Sequence, residues 1–170
     1  MLIKQKLGNI GSLTIDNTID TLELQWYEAN KRIMHKRTKS GQEIVMKFLS
    51  EAPELTEGDI LWRDETSVVV VEIQPCEAIV IHPSTMYQMA SLCYEIGNKH
   101  LALFYCNDDI VVPFDAPLFK LLSAAGYEPK RESRKLVNPL KTTVSPHGSV
   151  ESKPSLFSKI LQLTTSSADV

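Results

Sequence analysis

The sequence predicts an α+β chain in three parts: an all-β domain over residues 1–75, a βαββαβ domain over residues 76–137, and a flexible C-terminal tail over residues 138–170. Three observations carry this reading. From Leu2 to Pro75 the apolar periodicity is short and strand-like, with no long helical stripe. Two capped amphipathic stretches then alternate with apolar runs. Beyond Val137 the chain turns to Pro, Ser and Thr and has too few apolar side chains to hold a fixed conformation unaided.

In the first part, Leu22, Leu24 and Trp26 alternate with Glu23 and Gln25, the pattern of a strand with one buried face, and Trp26 is expected in the core. Residues 31–36 and 43–48 are β-prone and flank Lys39-Ser40-Gly41-Gln42, whose glycine supplies the positive φ of a tight hairpin. A second hairpin joins residues 60–63 to residues 67–73 through Asp64-Glu65-Thr66. Its run Val68-Val69-Val70-Val71 reads as a strand buried on both faces. Gln74-Pro75-Cys76 sets the domain boundary, because proline removes a ladder donor and restricts the residue before it.

The second part reads as strand 78–82, helix 85–96, strand 101–106, strand 110–114 after the turn Asn107-Asp108-Asp109, and a second helix from Asp115. Thr85 with Gln88 three residues on is the pattern of a capping box, and Met86, Met89, Ala90, Cys93 and Ile96 make the expected buried stripe. Gly97 is expected to end that helix in the left-handed conformation. In the second helix Asp115 is the N-cap, Pro117 fits the first turn, Leu118, Leu121, Leu122 and Ala125 form the stripe, and Gly126 stops it. A charged strand near residues 131–136, suited only to a sheet edge, completes a ferredoxin-like unit. In the tail, Leu156, Phe157, Ile160 and Leu161 can make two amphipathic turns, too few to persist without docking.

At 170 residues and 43% hydrophobic, the chain is long enough to bury a sizeable core. Its net charge of −3 and scattered basic residues argue against nucleic acid as a partner. The longest apolar run, residues 68–71, is far too short for a membrane span, and the start of the chain has no long apolar core, so a cytosolic, membrane-free chain is expected. Cys76, Cys93 and Cys106 have no Cys-x-x-Cys spacing, and the odd count fits reduced thiols.

The chemistry is expected at Cys93-Tyr94-Glu95-Ile96-Gly97-Asn98-Lys99-His100, where a helix stops and a histidine is carried just past its end. One imidazole cannot fill a metal's coordination shell, and an exposed, hydrogen-bonded histidine is the ordinary reading of such a residue. The segment Tyr94-Glu95-Ile96-Gly97-Asn98-Lys99-His100, followed by Leu101-Ala102-Leu103-Phe104-Tyr105, resembles that around the nickel-binding histidine of the UreE family of urease accessory metallochaperones. The resemblance extends over nearly the whole chain. It includes Gly58-Asp59-Ile60-Leu61, although that tetrapeptide alone is nonspecific.

The resemblance implies a Ni²⁺ ligand at His100, with Zn²⁺ as a metal that can also bind, in a site made at a homodimer interface. A metal-linked tetramer is the larger assembly it allows. It also implies delivery of nickel to apo-urease together with the accessory GTPase, and tail histidines that supplement the site, which here puts His147 forward. Some relatives have further histidines just after the equivalent of Tyr105. Asn107, Asp108 and Asp109 stand here instead, so a second soft metal site is not expected.

Other residues are read more plainly. His35 lies beside Lys36 and Arg37, like charges that repel a cation, and His82 ends a strand as a structural histidine. Cys93 belongs to the helical stripe, and no base is placed beside Cys76 or Cys106. Lys130, Arg131, Arg134 and Lys135 surround Glu132 as a solvated edge or a docking patch for an acidic partner. Two other functions compete with nickel delivery. In one, the β domain binds a client peptide by strand addition and His100 is incidental. The other, a metal hydrolase, fails because the sequence holds no His-Glu-x-x-His, no clustered carboxylates with imidazoles and no nucleophile elbow, so no enzyme is expected.

Overall fold

The computed structural model describes residues 1–12 and 18–140. Its first half contains β1 (Leu2–Ile3), β2 (Gly8–Asn9), β3 (Thr18–Leu24), β4 (Ile33–Arg37), β5 (Glu43–Lys47), β6 (Asp59–Arg63) and β7 (Ser67–Ile73). They form two sheets, ordered β1-β5-β4 and β2-β6-β7-β3. Alternation decides the facing. Leu22, Leu24, Ile44, Met46, Val69, Val71 and Ile73 point into one shared core, while Val68 and Val70 pack with Ile60 on the other side of the second sheet. The valine run is therefore buried on both faces, as its composition predicts.

Both expected hairpins form. Gly41 takes φ 91° in the β4–β5 turn, and Asp64 closes the β6–β7 turn by accepting the Thr66 and Ser67 amides at 2.8 and 2.7 Å. The two-residue strands β1 and β2 are too short to show a period, and the sequence reading misses them. Trp26 differs from expectation too. The strand stops at Leu24, and Trp26 sits half-buried in a 3₁₀ turn over Trp26–Glu28.

A polar cluster around Asp59 is buried in this half. Asp59 is 3% exposed and accepts hydrogen bonds from Asn9 Nδ2 at 3.0 Å, the Thr56 amide at 2.9 Å and Lys6 Nζ at 3.3 Å. Gly58 beside it has φ 79°, and a Cβ there would meet Ile10 Cγ2 at 2.9 Å, so both conformation and space require glycine. The Gly-Asp pair thus fixes the loop before β6.

The second half contains β8 (Cys76–Ile81), α1 (Met86–Asn98), β9 (Phe104–Cys106), β10 (Asp109–Pro113), α2 (Ala116–Ala124) and β11 (Lys130–Arg134). The sheet order is β11-β8-β10-β9 and every neighbouring pair is antiparallel, the arrangement of a ferredoxin-like βαββαβ unit. Ile79, Ile81, Ile110 and Val112 face Leu92, Ile96, Leu118 and Leu122 of the helices. Each such buried chain contributes roughly 1.5–3 kcal/mol. The opposite face, with Ala78, Val80, Phe104 and Val111, packs on Leu136 and Trp26, and the Trp26 and Phe104 rings meet edge-on at 5.6 Å. As its charge predicts, β11 is an edge strand.

The buried stripes of the helices differ from expectation. On α1 the inward residues are Met89, Leu92, Cys93 and Ile96, at the 3–4–7 spacing of one helical face, whereas Met86 and Ala90 are exposed. On α2, Leu118 and Leu122 are buried but Leu121 and Ala125 are not. Asp115 caps α2 by accepting the Leu118 amide at 2.7 Å, and Gly126 follows with φ 83°.

Candidate metal centre

The N-terminal cap of α1 is shared between two residues. Thr85 Oγ1 accepts the Gln88 amide at 3.1 Å, while Gln88 Oε1 accepts from the amide and hydroxyl of Ser84 at 2.8 and 2.9 Å. The capping box therefore closes on Ser84 rather than on Thr85. At the other end the helix runs through Gly97 to Asn98, past its expected stop. The left-handed residue is His100 itself, with φ 54°, and its amide donates to the Gly97 carbonyl at 2.9 Å.

His100 is exposed. Histidine is one of the few non-glycine residues enriched in this region of φ, which costs of order 1–3 kcal/mol. The C-terminal end of α1 adds the partial negative charge of its last carbonyls, which favours a cation, and its last turn has no basic residue. Lys99, at the C-cap, is the nearby opposing charge.

A surface stripe leads to His100. Tyr87 is 80% exposed and Tyr94 70%, and with Ala90 and Gly97 they fall at i, i+3, i+7 and i+10, on the side of α1 away from its core. Gly97 has no left-handed φ, and a Cβ there would meet nothing within 4 Å among the described residues. Sequence reasoning misses this stripe because it counts Met86 and Ala90 as core, although the tyrosine spacing is visible in the sequence.

The segment after β11 also approaches this region. Leu136 is buried against Phe104, and residues 138–140 lie antiparallel to residues 103–105. The Tyr105 amide donates to the Asn138 carbonyl at 3.0 Å and the Leu140 amide to the Leu103 carbonyl at 2.8 Å. The chain thus advances past Tyr105 toward Leu103, three residues from His100. His147 lies outside the described residues, as do Leu156, Phe157, Ile160 and Leu161.

The remaining candidates have their own surroundings. His82 Nδ1 is hydrogen-bonded to Asp109 Oδ1 at 2.9 Å, joining the ends of β8 and β10. His35 is exposed on β4, in a shallow depression with Lys36, Arg37 and Glu43. Cys76, Cys93 and Cys106 are free thiols, and burial pushes the first two above their ordinary value, away from the reactive thiolate. The basic cluster is largely paired: Arg131 with Glu77 at 2.6 Å, Arg134 with Glu132 at 2.8 Å and Lys135 with Glu57 at 2.8 Å. Among the described residues no group of three or more His, Cys, Asp and Glu side chains is placed to hold a metal ion.

Residues 3–74 match the family model described as the N-terminal domain of the UreE urease accessory protein. A urease accessory protein UreE of Flavobacterium johnsoniae is 43% identical over 164 residues, covering 96% of this chain and 99% of the relative. The chain belongs to the UreE family. Family members of Actinobacillus pleuropneumoniae and Helicobacter pylori are 41% and 35% identical, covering 79% and 93% of this chain and 75% and 96% of the relatives. A UreE is a urease accessory protein, so an accessory role in urease maturation follows from membership, and metal handling fits that role. The described residues contain no helix long and apolar enough to cross a membrane.

Proposed function

We propose that the chain is a cytoplasmic nickel-delivery protein that holds Ni²⁺ between two copies of itself and, with the accessory GTPase, passes it to apo-urease; the reading gives it no catalytic step. The observation that carries it is the placement of His100, an exposed imidazole on a left-handed turn at the cation-favouring end of α1. Two copies related by a twofold axis supply two imidazoles and remedy the shortage of ligands in one chain. The stripe Tyr87, Ala90, Tyr94 and Gly97 supports the placement of that axis, since the missing Cβ of Gly97 lets a second helix approach beside His100. Few ligands at an accessible interface suit transfer better than storage. Ni²⁺ is cargo here, and Zn²⁺ suits the same nitrogen donors.

The same reading divides the chain into a partner-facing β domain over residues 1–75, a metal-binding and dimerisation domain over residues 76–137, and a tail over residues 138–170 that carries His147 as a supplementary ligand. From Leu140 to His147 is seven residues, a reach of up to about 24 Å when extended.

The test is nickel titration of wild type, His100→Ala and His147→Ala. The expected order is a loss of about 100-fold or more for His100→Ala and about tenfold for His147→Ala. If His147→Ala removes binding while His100→Ala retains it, the site is in the tail. If His100→Ala changes nothing, the peptide-binding module becomes the better reading.

A further inference from the structure

We propose that Glu57 and Lys135 are positioning residues for the tail: they latch residues 135–140 to the β-rich half and so set the path on which the chain passes the His100 strand. The latch itself stands on the contacts below, and its consequence for nickel rests on the reading of His147 as a tail ligand.

The Glu57 carboxylate has a partner on each oxygen. Oε2 accepts the Ile73 amide at 2.8 Å, which ties the side chain to the end of β7, and Oε1 accepts from Lys135 Nζ at 2.8 Å. Lys135 also reaches Glu72 Oε1 at 3.6 Å, and Thr56 Oγ1 donates to the Val137 carbonyl at 3.5 Å. The next side chains alternate between the two halves. Leu136 enters the cluster with Phe104 and Val111, and Val137 packs on the core of the β-rich half. The backbone then makes its two bonds to residues 103–105. This run is anchored at its start to the first half and at its end to the strand that leads from His100. Glu57 and Glu72 carry opposite charge to Lys135, and the Glu57 hydrogen bond holds the Lys135 ammonium above its ordinary value against the effect of burial.

The register of residues 138–140 fixes where the tail departs, and departure point and tether length set the local concentration of a tail ligand. Without the ion pair, the segment keeps Leu136 but loses the contact that orients its start. The pairing with residues 103–105 then frays, since short edge segments open at low free energy.

Hydrogen exchange and nickel titration on the full chain test the proposal. In Lys135→Ala without metal, the Tyr105 and Leu140 amides are expected to exchange about tenfold faster or more, while Val80 and Val111 in the sheet centre are unchanged. Lys135→Arg, which keeps the charge and donors for Glu57, restores slow exchange. Nickel affinity falls about two- to fivefold in Lys135→Ala, and this loss vanishes in a His147→Ala background, whereas a merely structural role would lower both backgrounds alike. Unchanged exchange at Tyr105 and Leu140 overturns the latch. An equal affinity loss in both backgrounds overturns its positioning role. Accelerated exchange with His147→Ala itself lacking any effect on nickel upholds the latch and removes the tail-ligand reading instead.

Discussion

The β-rich half and the ferredoxin-like half treat their polar chemistry in opposite ways. In the first, Asp59 is buried and supplied with donors by Asn9, Thr56 and Lys6, so its carboxylate is committed to the loop before β6. In the second, His100 and the tyrosines of α1 are placed at the surface, on a helix whose other face is fully employed in the core. A satisfied, enclosed charge holds a fold together. An exposed imidazole beside an apolar stripe, with no group of three or more metal-ligating side chains among the described residues, is what the proposed half-site requires.

The largest expected effect breaks the first side of that contrast. Asp59→Ala removes a buried acceptor of three hydrogen bonds and leaves Lys6, Asn9 and the Thr56 amide without it, which costs about 3 kcal/mol in urea unfolding. Nickel bound per folded molecule should stay the same. Tyr94→Asp tests the second side. A carboxylate on the stripe should weaken dimerisation by about 2 kcal/mol, measured by sedimentation across a dilution series, while monomer stability changes by less than about 0.5 kcal/mol. A Tyr94→Asp dimer as tight as wild type would remove the stripe from the interface.

A smaller effect separates stability from function within one residue. His100→Gly relieves a left-handed backbone and should raise metal-free stability by about 1 kcal/mol while abolishing nickel binding. A loss of stability instead would mean that the imidazole is structural.

The smallest concerns Glu28 in the turn that carries Trp26. Burial acts to raise its pKa, but the hydrogen bond from Lys36, the Gln25 amide and the charges of Lys36 and Lys31 outweigh it and hold the carboxyl below 4.5. A depressed carboxylate contributes stability that is present in full above its unfolded pKa and lost as pH falls through the folded one. Wild type should therefore exceed Glu28→Gln by up to about 1 kcal/mol at pH values above 4.5, a difference that shrinks below it. A gap independent of pH would assign the effect to packing.

What could be read from the sequence follows the same divide. The hairpins are legible because Ile44 and Met46 alternate with less buried residues and glycine or aspartate turns bound the strands, and the valine strand because Val68 to Val71 is an unbroken apolar run that ends up buried on both faces. The inward face of α1 is only partly legible, Met89, Cys93 and Ile96 facing the core as expected, because apolar residues also lie outside it. Met86 and Ala90 look like core in a list of residue types, and an exposed apolar face has the composition of a buried one. The sequence points to Gly97 for the positive φ because glycine is its usual bearer, whereas the helix continues to Asn98 and the demand passes to His100. The exposed place of His100 just past the end of α1 is legible from the residues around it. The pairing of residues 138–140 is not, because a proline-containing segment of three residues has no period to detect and its partner is distant in sequence.

The central claim is that His100 is one half of a twofold site. Isothermal titration of the full chain with Ni²⁺, with the mass in solution measured before and after metal, tests it most directly. The expected result is one tightly held ion per two chains, with a dimer present throughout, and no such binding in a His100→Ala protein that remains folded and dimeric. One ion per monomeric chain, or undiminished binding in His100→Ala, would contradict it.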